Sequence, residues 1–201
     1  MLATLAALLA FLFPLAYSPG PGNLFFAALG ARLGFRAALP ALMGYHIATL
    51  VVTLAAGLAF LGADARFAGL LPLLRLPGAA YILWLAWRLW HADPAGATDA
   101  GGRSGIRDGA VLLLLNPKAY TIIALVFAQF LGRDGVAGLA GIGMLAIAFT
   151  MNNLLAFVIF AAGGDRLARR LRSRKDAQSL NRAFALVLSG VALWMAWPAG
   201  R

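Results

Sequence analysis

Two long stretches of this sequence, residues 37–63 and 135–164, contain no Asp, Glu, Lys or Arg. The hydrocarbon core of a bilayer is about 30 Å thick, and a helix of roughly 20 apolar residues crosses it. The chain as a whole is 62% hydrophobic, whereas ordinary soluble domains contain roughly 45–50% apolar residues. The sequence therefore predicts an integral membrane protein with no soluble domain.

The apolar runs and the residues that interrupt them predict six transmembrane helices, since lipid-embedded backbone must satisfy its own hydrogen bonds. The helices are expected at about Leu2–Ala31, Ala38–Gly62, Leu70–Trp90, Asp108–Leu131, Gly135–Gly163 and Leu180–Trp197. Residues 91–107 are rich in Gly, Ala, Pro and Asp and predict a flexible linker. The expected organisation is a three-helix half at residues 1–90, the linker at 91–107 and a second three-helix half at 108–201.

An odd number of helices in each half means that the two halves enter the membrane in opposite directions. The predicted fold class is thus an all-α membrane protein of six transmembrane helices in two inverted halves, a plan typical of secondary transporters. The first, third and fifth loops carry twelve of the seventeen Lys and Arg residues, and the other side carries four. Because cationic loops stay in the cytoplasm, both termini are expected in the periplasm.

A formal charge of +10 raises the question of nucleic-acid binding, which the positions of the charges argue against. The cations lie between apolar runs, where they bind lipid headgroups at helix ends. The chain has no cysteine, so disulfides and thiolate metal sites are excluded. Membrane lipids are the expected partner, and nucleic acid is not.

Helix-breaking residues interrupt the first predicted helix of each half. Residues 18–23 read Ser-Pro-Gly-Pro-Gly-Asn, and residues 116–118 read Asn-Pro-Lys. Each proline removes a helical hydrogen bond, and broken backbone within a membrane is tolerated only inside the protein or along a cavity. Paired breaks at corresponding positions predict a substrate site, although simple kinks are the alternative.

Lys118 is the cation that falls inside an apolar run, where a charge is costly and indicates a functional role. The alternative is that its side chain extends to the interface. Its ammonium would suit a substrate carboxylate or a proton-linked step. Other polar residues of the spans could line a path or hydrogen-bond between helices: Tyr45, His46, Tyr120, Gln129, Asn152 and Asn153.

These residues, in this order, resemble the LysE/RhtB family of bacterial amino-acid exporters over nearly the whole chain. The resemblance includes the Pro-Gly-Pro-Gly-Asn run at 19–23, the spacing of Gly30 and Gly34, Gly-Ala-Ala-Tyr at 78–81, Asn-Pro-Lys at 116–118 and Gln-Phe at 129–130. It implies export of a small amino acid or similar metabolite across the bacterial inner membrane, coupled to the proton gradient. The sequence departs from the family's pattern in the extra Gly22, which puts the role of Asn23 in doubt. Gly30 and Gly34 have the spacing of close helix packing.

The predicted mechanism places the two breaks face to face, with their backbone groups holding the substrate's ammonium and carboxylate and Lys118 pairing with the carboxylate. The predicted binding residues are Pro19, Gly20, Pro21, Asn23, Tyr45, Asn116, Pro117, Lys118, Tyr120, Gln129 and Asn153. The expected partners are an amino acid, protons and a possible second copy of the chain. No cofactor or metal is expected.

Proton coupling lacks an obvious carrier, because all seven acidic residues are Asp in loops or near helix ends. The candidates are Lys118, His46, Asp108 and bound water.

A metal-cation exporter is one alternative function, but it would need ligands that the spans nearly lack. A membrane enzyme acting on lipid is another, but no nucleophile–base pair or paired carboxylates appear, so the chain is predicted not to be an enzyme. A non-transporting assembly subunit would leave the paired breaks unexplained.

Overall fold

A computed structural model describes residues 2–18, 20–61, 66–91, 105–132, 136–170 and 174–196. These residues form eight α-helices and no β-strand, which confirms the all-α expectation. In chain order the helices are α1 Leu2–Tyr17, α2 Pro21–Leu33, α3 Phe35–Leu61, α4 Arg66–Trp90, α5 Ile106–Leu114, α6 Pro117–Phe130, α7 Gly138–Arg169 and α8 Arg174–Ala196.

Two of these helices, α3 and α7, are each long and apolar enough to cross a membrane. The pairs α1–α2 and α5–α6 also qualify if each is counted as one bent span, with bends of 61° and 66°. That gives two to four candidate spans by length and composition within the described ranges. The arrangement of six spans in two inverted halves stays a prediction.

The helix ends differ from the expected ones where hydrogen bonding continues past the apolar residues. The fifth predicted helix was expected to end at Gly163, but α7 continues to Arg169. Arg169 Nε donates to Asp165 Oδ1 at 2.9 Å, an i,i+4 pair that supports the last turn. Of the predicted linker, residues 92–104 lie outside the described residues, and Ile106 and Arg107 already belong to α5.

The long helices carry apolar side chains on their outer surface and polar ones inside. Exposed apolar residues recur at helical spacing along α3 and α7, namely Met43, Ile47, Val51 and Leu58, then Ile147, Met151, Leu155 and Ile159. Buried polar residues of the same helices face the interior: Tyr45, His46, Thr49, Thr53, Thr150 and Asn153. Two apolar outer stripes of this length are typical of a surface in contact with lipid.

Glycines bring α2 against α7 so closely that backbone touches backbone. A Cβ atom on Gly30 would collide with the carbonyl of Ala161, and one on Gly164 would collide with that of Ala27. Gly30 therefore packs helices together, as its spacing predicted. Gly34 makes no such backbone contact: it follows α2 with a φ of 84°, a conformation that favours glycine, and a Cβ there would lie 3.8 Å from Asp165 Oδ1 of α7.

A second crossing of the same kind joins α3 to α5. A Cβ on Gly44 would meet the Ile106 carbonyl, and one on Gly109 would meet the Ala41 carbonyl. Each crossing joins a helix before the predicted linker to a helix after it. The breaks at residues 18–20 and 115–116 are thereby held within the same bundle.

Candidate functional site

The first break separates α1 from α2 and is bridged by Asn23. Pro21 is the first residue of α2, a position where its missing N–H costs no helical hydrogen bond. Asn23 Nδ2 donates to the Ala16 carbonyl at 2.8 Å, and Asn23 is buried. That carbonyl belongs to the last turn of α1, which leaves its oxygens without helical partners. Asn23 thus satisfies a group that the break exposes. Pro19 lies outside the described residues.

The second break, between α5 and α6, is built in the same way. Asn116 precedes α6, and Pro117 is the first residue of that helix. The Tyr120 hydroxyl donates to the carbonyl of Leu114, the last residue of α5, at 3.2 Å. In both breaks, a polar side chain from the first turn of the second helix bonds the end of the first helix.

Lys118 connects the two breaks. Its Nζ donates to the Ser18 carbonyl at 3.0 Å and to Ser18 Oγ at 2.9 Å, a contact between residues 100 positions apart. Gly20 leaves the space that the lysine occupies, because a Cβ there would lie 2.8 Å from Nζ. No carboxylate of the described residues lies within ion-pair distance of this ammonium. The ammonium is half-buried and is held by oxygen atoms that carry no full charge.

Asn116 extends the polar contacts from the second break to the centre of α3. Its Nδ2 donates to the Tyr45 hydroxyl at 3.0 Å, and the Asn153 side chain of α7 lies beside the same hydroxyl. His46 Nδ1 lies 2.7 Å from the Leu42 carbonyl. Within the described part of the chain, Asn116 Oδ1 and His46 Nε2 are buried without a hydrogen-bond partner.

Aromatic rings close one side of this polar group. The rings of Phe26, Tyr45, His46 and Phe157 pack with centroid separations of 4.7–5.8 Å. Gly22 lets Phe157 approach, since a Cβ there would lie 2.6 Å from Phe157 Cζ. The extra glycine that departs from the family pattern therefore has a packing role, and Asn23 still reaches the end of α1.

Comparison with known proteins agrees with these motifs. The sequence profile of the LysE type translocators matches residues 13–197. The chain belongs to the LysE type translocator family. It is 40% identical over 179 residues to a cysteine/O-acetylserine efflux protein of Salmonella paratyphi A, covering 86% of this chain and 87% of the relative. It is 27% identical over 179 residues to a homoserine/homoserine lactone efflux protein of Salmonella typhimurium, covering 85% and 84%. No solved structure matches the chain.

Membership confirms the resemblance that the motifs indicated and makes this LysE type translocator a membrane protein of a bacterial transporter family. Its structure places many of the predicted binding residues around the two breaks. Those with described contacts there are Gly20, Asn23, Tyr45, Asn116, Lys118, Tyr120 and Asn153. Gln129 lies apart, exposed in the last turn of α6.

Residues that were not predicted for the site also contact it in this translocator. Ser18 was identified only as the start of a break, yet it supplies both oxygen atoms that bind Lys118. Phe26 and Phe157 resemble any other apolar residue of a membrane helix, and their sequence context gives no signal. Gly22, which appeared only as an irregularity, was the one sequence clue to the packing of Phe157.

Proposed function

We propose that this translocator exports a small amino acid or a related metabolite across the bacterial cytoplasmic membrane, coupled to the proton gradient. The efflux activities named for its relatives support the direction and the substrate class. The observation that carries the proposal is the Lys118 ammonium, which joins the two helix breaks and has no carboxylate partner among the described residues. A substrate carboxylate would supply the missing negative charge.

The polar groups around Lys118 match the two ends of an amino acid. The substrate carboxylate accepts from Lys118 Nζ and replaces the Ser18 oxygens there. The substrate ammonium donates to Asn116 Oδ1, which is buried without a partner in the described structure. The aromatic rings of Phe26 and Phe157 lie beside this position and limit the size of the substrate side chain. Both breaks must separate slightly to admit the molecule, since Lys118 and Ser18 are in direct contact.

The transport cycle follows from the six-span plan, with residues 1–90 rocking against residues 108–201 around the substrate. In the predicted orientation the termini are periplasmic, and the first, third and fifth loops are cytoplasmic. Lys118 and His46 are the better proton carriers, because their side chains lie with the polar groups around the helix breaks, whereas Asp108 caps the first turn of α5, where its carboxylate accepts the Gly105 N–H at 2.9 Å. The His46 ring is buried beside the backbone of Asn153, and an imidazole can take up a proton near neutral pH.

Neither alternative function gains a specific observation from the structure. The described residues contain no group of three His, Asp, Glu or Cys side chains that could hold a metal ion. The family is one of translocators, and the relatives' names are those of efflux proteins, not of enzymes.

Transport by the purified protein tests the proposal directly. Proteoliposomes are loaded with radiolabelled homoserine, cysteine or O-acetylserine, and release is followed with and without an imposed pH gradient. We expect saturable release of at least one of these or of a related amino acid, accelerated by the gradient. Release equal to that of protein-free liposomes for a full panel of amino acids would refute an amino-acid exporter.

Gly20→Ala tests the contact between the breaks without removing a polar group. Because Gly20 is in extended conformation, with φ −154° and ψ 174°, alanine fits the backbone, and its Cβ displaces Lys118 Nζ. We expect export to fall about tenfold, as misplaced binding groups lower rates strongly, with the unfolding midpoint nearly unchanged. Gly143→Ala is the control, because a Cβ there meets no atom within 4 Å. Equal export by the two variants would contradict the role of this contact.

A further inference from the structure

Buried threonines lead from the helix breaks toward one end of the bundle. On α3, Thr49 and Thr53 follow Tyr45 of the candidate site at helical spacing, and both are fully buried. The outer side of the same helix carries exposed apolar residues. The two hydroxyls therefore face the interior, where polar groups are costly in a membrane protein and indicate a function.

Helix α7 runs antiparallel to α3 and adds a third threonine at this position. The His46 ring lies beside the backbone of Asn153, and a Cβ on Gly57 would lie 2.5 Å from Ile142 Cγ2. The two helices advance by equal numbers of residues between these two contacts. Thr150 of α7 is therefore level with the first of the two threonines on α3.

The Thr150 hydroxyl differs from the other two because it has no partner. Thr49 Oγ1 donates to the Tyr45 carbonyl at 2.8 Å, and Thr53 Oγ1 donates to the Thr49 carbonyl at 2.6 Å. Thr150 is 2% exposed, and its Oγ1 makes no hydrogen bond within the described ranges. Leaving a buried hydroxyl unpaired is costly, which favours a role in binding something polar that passes it.

Beyond the threonines, a cluster of apolar side chains closes this end of the bundle. The ring of Phe127 on α6 occupies the space beside Gly57, since a Cβ on Gly57 would lie 2.7 Å from Phe127 Cζ. Phe127 is 1% exposed and packs in one cluster with residues of α1, α3 and α7, which include Leu8, Leu12, Ala56, Ile142, Leu145 and Phe149. An apolar constriction of this kind excludes water and polar solutes.

The two ends of the bundle are closed in different ways. Along both α3 and α7, the candidate site lies between a glycine crossing and the apolar cluster. At the crossings backbone meets backbone, so only movement of whole helices would open that end. At the Phe127 end the closure consists of side chains, which can reorient once the helices separate slightly. A small movement is therefore sufficient to open a path at the Phe127 end.

We propose that Thr49, Thr53 and Thr150 line the path by which the transported solute is released, and that Phe127 is the gate that closes this path. The inference rests on the export proposed above. The three hydroxyls offer successive hydrogen-bond partners to the polar groups of a small amino acid as it leaves Lys118. In the predicted orientation the Phe127 end faces the periplasm, which is the side to which an exporter releases its substrate.

Thiol reactivity tests the gate. The chain has no cysteine, so a single introduced cysteine reports on its own surroundings. Thr53→Cys is reconstituted in proteoliposomes without substrate and reacted with a positively charged methanethiosulfonate that does not cross the bilayer, and mass spectrometry follows the reaction. We expect slow reaction in the wild-type background. Adding Phe127→Ala should accelerate it at least about tenfold, because truncating a buried ring removes packing that holds the closed form. Thr150→Cys should respond in the same way.

Two control variants separate a gate from general loosening of the bundle. Val51→Cys lies on the exposed side of α3 and should react at the same rate with or without Phe127→Ala. Phe13→Ala removes an exposed ring from α1 and should leave the reaction of Thr53→Cys unchanged. If Phe127→Ala does not fold, Phe127→Leu keeps an apolar side chain and should still accelerate the reaction several-fold.

Equal reactivity of Thr53→Cys with and without the change at Phe127 would overturn the gate, as would an increase of the same size at Val51→Cys. Either result leaves the proposed export standing, because export is judged separately by release from proteoliposomes. A protein that transports no amino acid but shows the faster reaction would refute the proposed function and retain the gated path.

Discussion

Replacing Lys118 with Met is expected to reduce export by at least about 100-fold while the protein still inserts and folds. The substitution removes the ammonium that bonds both Ser18 oxygens and that we propose to bind the substrate carboxylate. Hydrogen bonds to a charged group are worth about 1.5–3 kcal/mol, and tenfold in affinity corresponds to about 1.4 kcal/mol. Methionine has similar length and is apolar, so the membrane environment tolerates it. Efflux from proteoliposomes measures the rate.

The chain offers a matched control, since its other lysine, Lys175, is exposed on α8. Lys175→Met should export like the wild type. A second variant, Lys118→Arg, keeps the charge but brings a larger group against Gly20, and it should recover only a small part of the activity. Undiminished efflux by Lys118→Met would refute the role of this residue and, with it, the proposed arrangement of the substrate.

The largest effect on stability is expected from Gly164→Val, at the crossing of α2 and α7. The new side chain would collide with the Ala27 carbonyl, and backbone cannot move aside as a flexible side chain does. Overpacking costs about 1–3 kcal/mol in ordinary cores, and a backbone collision should reach at least the upper value. The unfolding midpoint in detergent should fall by roughly 6–12 °C.

Gly163→Val is the control variant, because it introduces valine into the same helix without a collision and so shows the effect of valine's helix propensity alone. It lies one residue away in α7, is exposed, and its Cβ would meet no atom within 4 Å. Its midpoint should stay within about 2 °C of the wild type, since surface substitutions usually change stability by less than about 0.5 kcal/mol. Equal midpoints for the two variants would show that α2 and α7 are not in backbone contact.

The helix breaks were predictable because proline and glycine act on the backbone of their own segment. The structure starts α2 at Pro21 and α6 at Pro117, within the segments that the sequence marked. The partner of Lys118 was not predictable. Which of two segments 100 residues apart pack together depends on the tertiary arrangement, and a serine beside a proline gives no sign that it will meet a lysine.

The glycine crossings show a similar limit. The chain has 23 glycines, and spacing identified only Gly30 as a packing residue among the four described glycines that touch the backbone of another helix. Gly44 and Gly164 have no local pattern that separates them from glycines with open space around them, such as Gly163. Gln129 was included for its polarity alone, and the structure leaves it exposed in the last turn of α6.

The two backbone crossings also bear on how the molecule can move. Contacts made by glycine and carbonyl groups have no interlocking side chains, so the helices there can slide or pivot with few rotamer changes. Both crossings join a helix before the predicted linker to one after it. Each also holds one end of a broken helix, α2 in the first crossing and α5 in the second. If the two halves rock against each other, we expect them to pivot at these two crossings. The ends of α1 and α6 that lie farthest from the crossings would then move the most.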